Sequence, residues 1–223
     1  MIEAVIFDMD GLLIDSEPLW QEAEIKAFRQ VNINLSIENC METTGMRTDE
    51  VVDDWYHRRP WKGKSREEIT EEIIRRVIVL IREKGHFMPG AKEALSFCEK
   101  LDVKMALASS SNYRIIDAVL SKFKLSSQFD VIHSAQEEKF GKPHPGVYIS
   151  TSNKLGVSPV NCLAIEDSLM GVISAKAARM TCLAVPGTAD ERFVLADVRL
   201  NSLEDLNDGV WKQILSITKN TVE

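Results

Sequence analysis

Short apolar runs recur along the chain at 4–7 (AVIF), 103–108, 129–132, 162–165 and 181–185. Each has the length of a buried strand. Gly90 to Lys100, Tyr113 to Lys122, Pro145 to Lys154 and Leu169 to Arg179 carry apolar residues at helical spacing, giving a β-α alternation from about residue 90 onward. That order predicts an α/β fold, a doubly wound parallel sheet with helices on both faces. About 80 residues separate the first run from the rest, too many for a structureless connection. Within them Glu17 to Val31, Thr48 to His57 and Arg66 to Lys84 read as helices, the last with Ile69, Ile73, Val77, Leu80 and Ile81 as its apolar stripe. Residues 17–85 are therefore expected to form a small all-helical domain inserted into a core made of 1–16 and 86–223. Gly85 and Pro89-Gly90 mark the return. Residues 201–223 read as one or two surface helices with a frayed end.

Composition narrows the class. The 223 residues hold 27 Lys and Arg against 34 Asp and Glu, a net charge of −7 that argues against nonspecific nucleic-acid binding. With 44% hydrophobic and 27% charged residues the chain is an ordinary globular one. The longest apolar run, Val77 to Ile81, is far short of the roughly 20 residues that span a bilayer. Cys40, Cys98, Cys162 and Cys182 have no metal or redox spacing and read as reduced, buried thiols. The N-terminus shows neither a basic lead nor a small-residue cleavage site. A cytoplasmic protein is expected, monomeric by default, with neither nucleic acid nor membrane as partner.

In open α/β sheets ligands collect beyond the carboxyl ends of the strands. Asp8-Met9-Asp10-Gly11 follows the first run, Ser109-Ser110-Ser111-Asn112 the second and Glu166-Asp167-Ser168 the fourth; Gly141-Lys142-Pro143 precedes the helix near Pro145. A crevice lined by Asp8, Asp10, Glu166 and Asp167 concentrates negative charge that cannot be buried unpaired. Oxygen ligands of this kind suit Mg²⁺. Lys142 as a point charge and Ser109 as a donor would complete a phosphate site. One carboxylate held in line can attack phosphorus while another donates a proton to the leaving oxygen. Each piece also has a plainer reading. Asp-x-Asp-Gly is a common turn, Glu166-Asp167-Ser168 can be an N-cap with acidic support, Ser111-Asn112 reads as a cap, and Lys142 can be a solvated loop lysine. Their joint placement at strand ends is what structure alone does not explain.

These residues resemble the haloacid dehalogenase superfamily of aspartate-nucleophile phosphotransferases over essentially the whole chain. Phe7-Asp8-Met9-Asp10-Gly11 is similar to its first motif, Ala106-Leu107-Ala108-Ser109 to its second, Gly141-Lys142-Pro143 to its third, and Glu166-Asp167-Ser168 with Gly171 to its fourth. The resemblance implies Asp8 as the nucleophile that forms an aspartyl-phosphate, and Asp10 as general acid and then base. Ser109, Ser110 and Lys142 would hold the phosphate. Mg²⁺ would be bound by the Asp8 carboxylate, the Asp10 carbonyl and Asp167, with Glu166 a direct ligand or one step behind. The helical insert resembles the family's cap domain. Gly11 to Trp20, Gly45-Met46-Arg47, Trp55-Tyr56 to Pro60-Trp61 and Gly141 to Pro145 resemble bacterial phosphatases of the 2-deoxyglucose 6-phosphate and hexitol-phosphate branch.

The implied activity is Mg²⁺-dependent hydrolysis of small phosphorylated sugars or sugar alcohols. The dehalogenases lack the second carboxylate that Asp10 supplies here. The related β-phosphoglucomutases carry His where this chain has Trp20, which weakens the mutase reading in favour of hydrolysis; a phosphosugar mutase stays as the alternative. An inactive binding module comes third, since no catalytic carboxylate or Lys is missing. A helical cap can exclude bulk water, with hinges expected at Ile14 to Pro18 and Gly85 to Gly90. Arg47 and Trp20 are expected to face the substrate, with local pairing and packing as their plainer readings. Trp55 and Trp61 are expected to pack, no His is assigned a role, and Glu137-Glu138-Lys139 reads as a solvated loop that delivers Lys142.

Overall fold

The strands that read as unbroken apolar runs are those buried on both faces. The computed structural model describes residues 1–187 and 190–220; the expected frayed end falls on 221–223, outside the described residues. Six parallel strands make one sheet: β1 (Ala4–Phe7), β2 (Lys104–Ser109), β3 (Val131–Ser134), β4 (Cys162–Glu166), β5 (Thr181–Ala184) and β6 (Val198–Arg199). Their order is β3-β2-β1-β4-β5-β6. All of β1 and β4 is buried, as is β2 beyond Lys104. Such strands lack polar alternation because helices cover both sides. The doubly wound parallel sheet is thus the fold of this chain. β1 sits in the middle between β2 and β4, which puts its carboxyl end at the topological switch point.

Two details depart from the sequence reading. The third strand starts at Val131 rather than Phe129, because Phe129 turns in against Phe7 (6.3 Å between ring centres) and the Asp130 carboxylate accepts the Met105 N–H (2.8 Å). β6, two residues long, is too short to show any period.

Between β1 and the first core helix stand α1 (Glu17–Phe28), α2 (Ile37–Met41), α3 (Thr48–Arg58) and α4 (Arg66–Lys84). A capping box starts α4: Ser65 Oγ accepts the Glu68 N–H (3.2 Å) and the Glu68 carboxylate accepts the Ser65 N–H (2.7 Å). Its acidic first turn and basic last turn complement the helix dipole. Ile69, Ile73, Val77 and Ile81 are fully buried along the expected stripe, and α4 packs against α1 and α3. Trp55 and Trp61 also pack, both edge-to-face on Phe28 at 6.4 and 5.8 Å. α2 escaped the periodicity reading because it is short; its signal is the Ser36 and Asn39 capping box. The core helices are α5 (Ala91–Glu99), α6 (Tyr113–Phe123), α7 (Gly146–Leu155) and α8 (Leu169–Ala177), with α9 (Asp208–Asn220) in the tail.

The two crossings between insert and core lie side by side. The Asp15 N–H donates to the His86 carbonyl (3.0 Å), the Met88 N–H to that of Leu13 (3.0 Å), and Ile14 bridges Phe87. Among the described residues no helix is long and apolar enough to cross a membrane. All four cysteines are buried free thiols. Ile73→Ala, which opens a cavity at the centre of the insert, is expected to cost about 2–5 kcal/mol, read as a lower denaturant midpoint.

Candidate active site

The end of β1 delivers Asp8 into the crevice, and the ladder continues one residue further as the Asp8 N–H donates to the Ile165 carbonyl (3.0 Å). The turn beyond it returns sharply, with Gly11 at φ +76, where a side chain would be strained and would also strike the Asp167 carboxylate. The Lys142 ammonium donates to Asp8 Oδ1 (2.5 Å), to Glu166 Oε1 (2.6 Å) and to the Ala108 carbonyl (3.3 Å). Asp8, Lys142 and Glu166 are 6%, 2% and 0% exposed. Lys142 is therefore no solvated loop lysine. Burial alone would lower its pKa, and Asp8 and Glu166 together raise it instead.

Glu166 has both oxygens engaged. Oε1 also accepts from the Tyr148 hydroxyl (2.6 Å), and Oε2 from the Asp167 N–H (3.2 Å), the Ser168 N–H (3.3 Å) and the Ser168 hydroxyl (3.2 Å). Gly171 leaves the space that this carboxylate fills. Ser168 is also the N-cap of α8, so the cap reading of this turn and its place in the site hold together.

Asp167 is the opposite case: its Oδ1 is buried without a hydrogen-bond partner. Burial, then the Asp8 and Glu166 carboxylates, push its carboxyl well above the usual range. Burial and the neighbouring carboxylates likewise raise Asp8, with Lys142 opposing. One oxygen each from Asp8, Glu166 and Asp167 lie within 4.8 Å of one another. Three carboxylates against one ammonium, with one oxygen unpartnered, is a donor set that fits a hard divalent cation such as Mg²⁺.

Asp10 faces the insert. Its Oδ1 accepts from the Ser16 hydroxyl (2.7 Å) and the Trp20 indole N–H (3.0 Å), its Oδ2 from the Ser111 hydroxyl (2.7 Å) and more distantly from Ser109 (3.5 Å). Trp20 therefore lines the cavity and meets the turn after β1 through Asp10. The Ser110 hydroxyl donates to the Gly45 carbonyl of the insert (2.8 Å). Arg47 stands outside the cavity wall, with two nitrogens on the Asp49 carboxylate (2.6 and 2.7 Å) and a third on the carbonyls of Ala135 (3.1 Å) and Glu138 (2.8 Å). One turn on, Glu50 accepts the Gly141 N–H (2.8 Å). The start of α3 thus clasps the loop that carries Lys142. That loop is less solvated than its sequence suggests, since Glu138 also meets the buried His133 ring (2.8 Å).

Sequence reasoning missed several residues of this site. Ser111 passed for a cap, and only Asn112 caps α6. Tyr148 gave no signal. Glu17 and Glu24 also line the cavity, and Glu24 had a signal: it falls on the buried face of α1 with Leu19, Ala23, Ala27 and Phe28. The space between core and insert is about 50 Å³, room for a few waters. The insert covers the site without sealing it from solvent.

A family model described as haloacid dehalogenase-like hydrolase matches residues 5–185. The chain belongs to this family. It is an enzyme, and several relatives that match it nearly end to end are named as phosphatases. Hexitol phosphatase B of Escherichia coli K12 is 46% identical over 209 residues, 92% of this chain and 94% of that one. The putative phosphatase YhcW of Bacillus subtilis is 33% identical over 208 residues, again 92% and 94% of the two chains. Among solved structures, CbbY from Rhodobacter sphaeroides in complex with phosphate superposes with a TM-score of 0.85 at 27% identity, covering 93% of this chain and 97% of that one. A β-phosphoglucomutase from Clostridium difficile does so with 0.85 at 25%, covering 97% and 99%. In this haloacid dehalogenase-like hydrolase, Gly11→Ala is expected to destabilise by about 1–3 kcal/mol in a denaturant titration, since Asp167 must move as well as the backbone.

Proposed function

We propose that the chain is a Mg²⁺-dependent phosphatase of small phosphorylated sugars or sugar alcohols, working through an aspartyl-phosphate on Asp8. The observation that carries this reading is the buried Asp8 carboxylate, bonded to the Lys142 ammonium and clustered with Glu166 and with Asp167, whose Oδ1 has no partner. Support for the substrate class is the 46% identity with hexitol phosphatase B. Asp8, the Asp10 carbonyl and Asp167 would hold Mg²⁺, which when bound neutralises the phosphoryl oxygens. Glu166, with both oxygens already engaged, acts instead as the carboxylate that orients Lys142.

In this reading Lys142 and Ser109 hold the phosphoryl group against Asp8. The Asp8 carboxylate attacks phosphorus, the ester P–O bond breaks, and Asp10 gives its proton to the departing sugar oxygen. Asp10 then takes a proton from water as that water attacks the aspartyl-phosphate; phosphate leaves and Asp8 is restored. Ser16, Trp20 and Ser111 hold Asp10 for both transfers. The insert over the site limits the water that reaches it while the intermediate exists. The paired segments at 13–16 and 86–88 let the 17–85 unit open for substrate, because the space between core and insert, about 50 Å³, is smaller than a hexose phosphate.

Asp8→Asn is expected to lose at least about 1000-fold in kcat while keeping the wild-type fold by circular dichroism. A chelator is expected to abolish phosphate release and Mg²⁺ to restore it. Full activity in Asp8→Asn would rule out the mechanism, and rearranged sugar phosphate in place of inorganic phosphate would favour the mutase reading, which the β-phosphoglucomutase neighbour keeps in view. Trp20→Phe removes one donor from Asp10 and is expected to lower kcat about tenfold with little change in KM.

A further inference from the structure

The insert's share of the cavity wall comes mainly from α1 and the segment after α2: Glu17, Gln21 and Glu24, with Thr43 and Thr44. Glu24 lies one turn beyond Trp20, among the buried residues of α1, and lines the cavity. It is 7% exposed, and its Oε2 has no hydrogen-bond partner. The Cys40 thiol lies against the same carboxyl, and among the described residues no Lys or Arg is paired with it. A carboxyl buried in that way is a cost to the fold unless something enters the cavity to pair with it.

The rest of the wall says what can enter. Lys142 is the one cationic side chain among the described residues lining the cavity, and its donors go to Asp8, Glu166 and the Ala108 carbonyl, at the phosphoryl end. Arg47, though near in sequence, is spent on Asp49 and two core carbonyls. Glu17 Oε2 accepts from Thr44 (3.3 Å) and adds a second carboxyl to the insert's side. A leaving group with its own phosphate or carboxylate would be enclosed there with no counter-charge. A hydroxyl suits the same wall, because it can donate to a carboxylate and accept from a carboxylic acid, whereas an anion only accepts.

We propose that Glu24, with Glu17 beside it on the insert's side of the cavity, is the specificity-determining contact for a hydroxyl of the leaving group. The cavity then takes esters of neutral polyols and rejects those bearing a second anionic group. The inference rests on the phosphatase reading above and narrows its substrate class to monophosphates of uncharged polyhydroxy alcohols.

The test is a comparison of kcat/KM for phosphate release from a hexitol monophosphate, a hexose bisphosphate, a phosphorylated aldonic acid and p-nitrophenyl phosphate. The proteins are wild type, Glu24→Leu and Glu24→Gln. Wild type is expected to prefer the hexitol ester over the bisphosphate and the aldonic acid ester by at least about tenfold each. Glu24→Leu is expected to lower the ratio of hexitol ester to p-nitrophenyl phosphate by about tenfold or more, and Glu24→Gln, which keeps a donor and an acceptor, to recover most of it. A ratio unchanged in a folded Glu24→Leu, or equal turnover of mono- and bisphosphate by wild type, overturns the proposal while leaving the phosphatase reading in place. No phosphate from any ester, p-nitrophenyl phosphate included, overturns that reading and this inference with it.

Discussion

The Lys142 ammonium, shared between Asp8 and Glu166 and almost wholly buried, is the contact around which the molecule is arranged. A buried charge is tolerated only with its partners in place, and here they come from the residue after β1, from the end of β4 and from a carbonyl of β2. The neighbouring helices answer to the same demand: α7 supplies the Tyr148 hydroxyl to Glu166, and α8 begins with Ser168 and Gly171, the one bonded to that carboxylate and the other giving it room. The pairing leaves Asp167 over. Its unpartnered oxygen follows from having three carboxylates to one ammonium, and that same imbalance makes the site fit for a divalent cation.

Asp10 is where core and insert meet chemically. Its two oxygens are divided between Ser16 and Trp20 on the hinge side and the serines after β2 on the other. Moving the insert therefore moves donors of the residue proposed to handle the proton. A second link runs through α3, where Arg47 and Glu50 hold the loop around Gly141, the residue before Lys142. The insert is thus tied both to Asp10 and to the loop that carries Lys142.

The sheet, its helices and the insert were legible in the sequence because they rest on local periodicity. Doubly covered strands must be continuous apolar runs, and α4 must carry its stripe of isoleucines and valines. The residues at the strand ends were legible too, as a chemically complementary set: Asp8, Asp10, Ser109, Lys142, Glu166 and Asp167 do converge on one crevice. What spacing could not yield was the allocation of partners. That Glu166 accepts from Lys142, that Trp20 donates to Asp10 at the cavity wall and that Arg47 clasps the loop at 135–138 depends on the directions of side chains from elements far apart in the chain. Ser111, Tyr148 and Glu24 were overlooked for the same reason: a serine before a helix, a tyrosine within one and a glutamate on one all have common local uses. Only the tertiary structure buries Glu24 at the cavity wall with an oxygen unpaired, because burial and the loss of partners are properties of packing and not of the residues themselves.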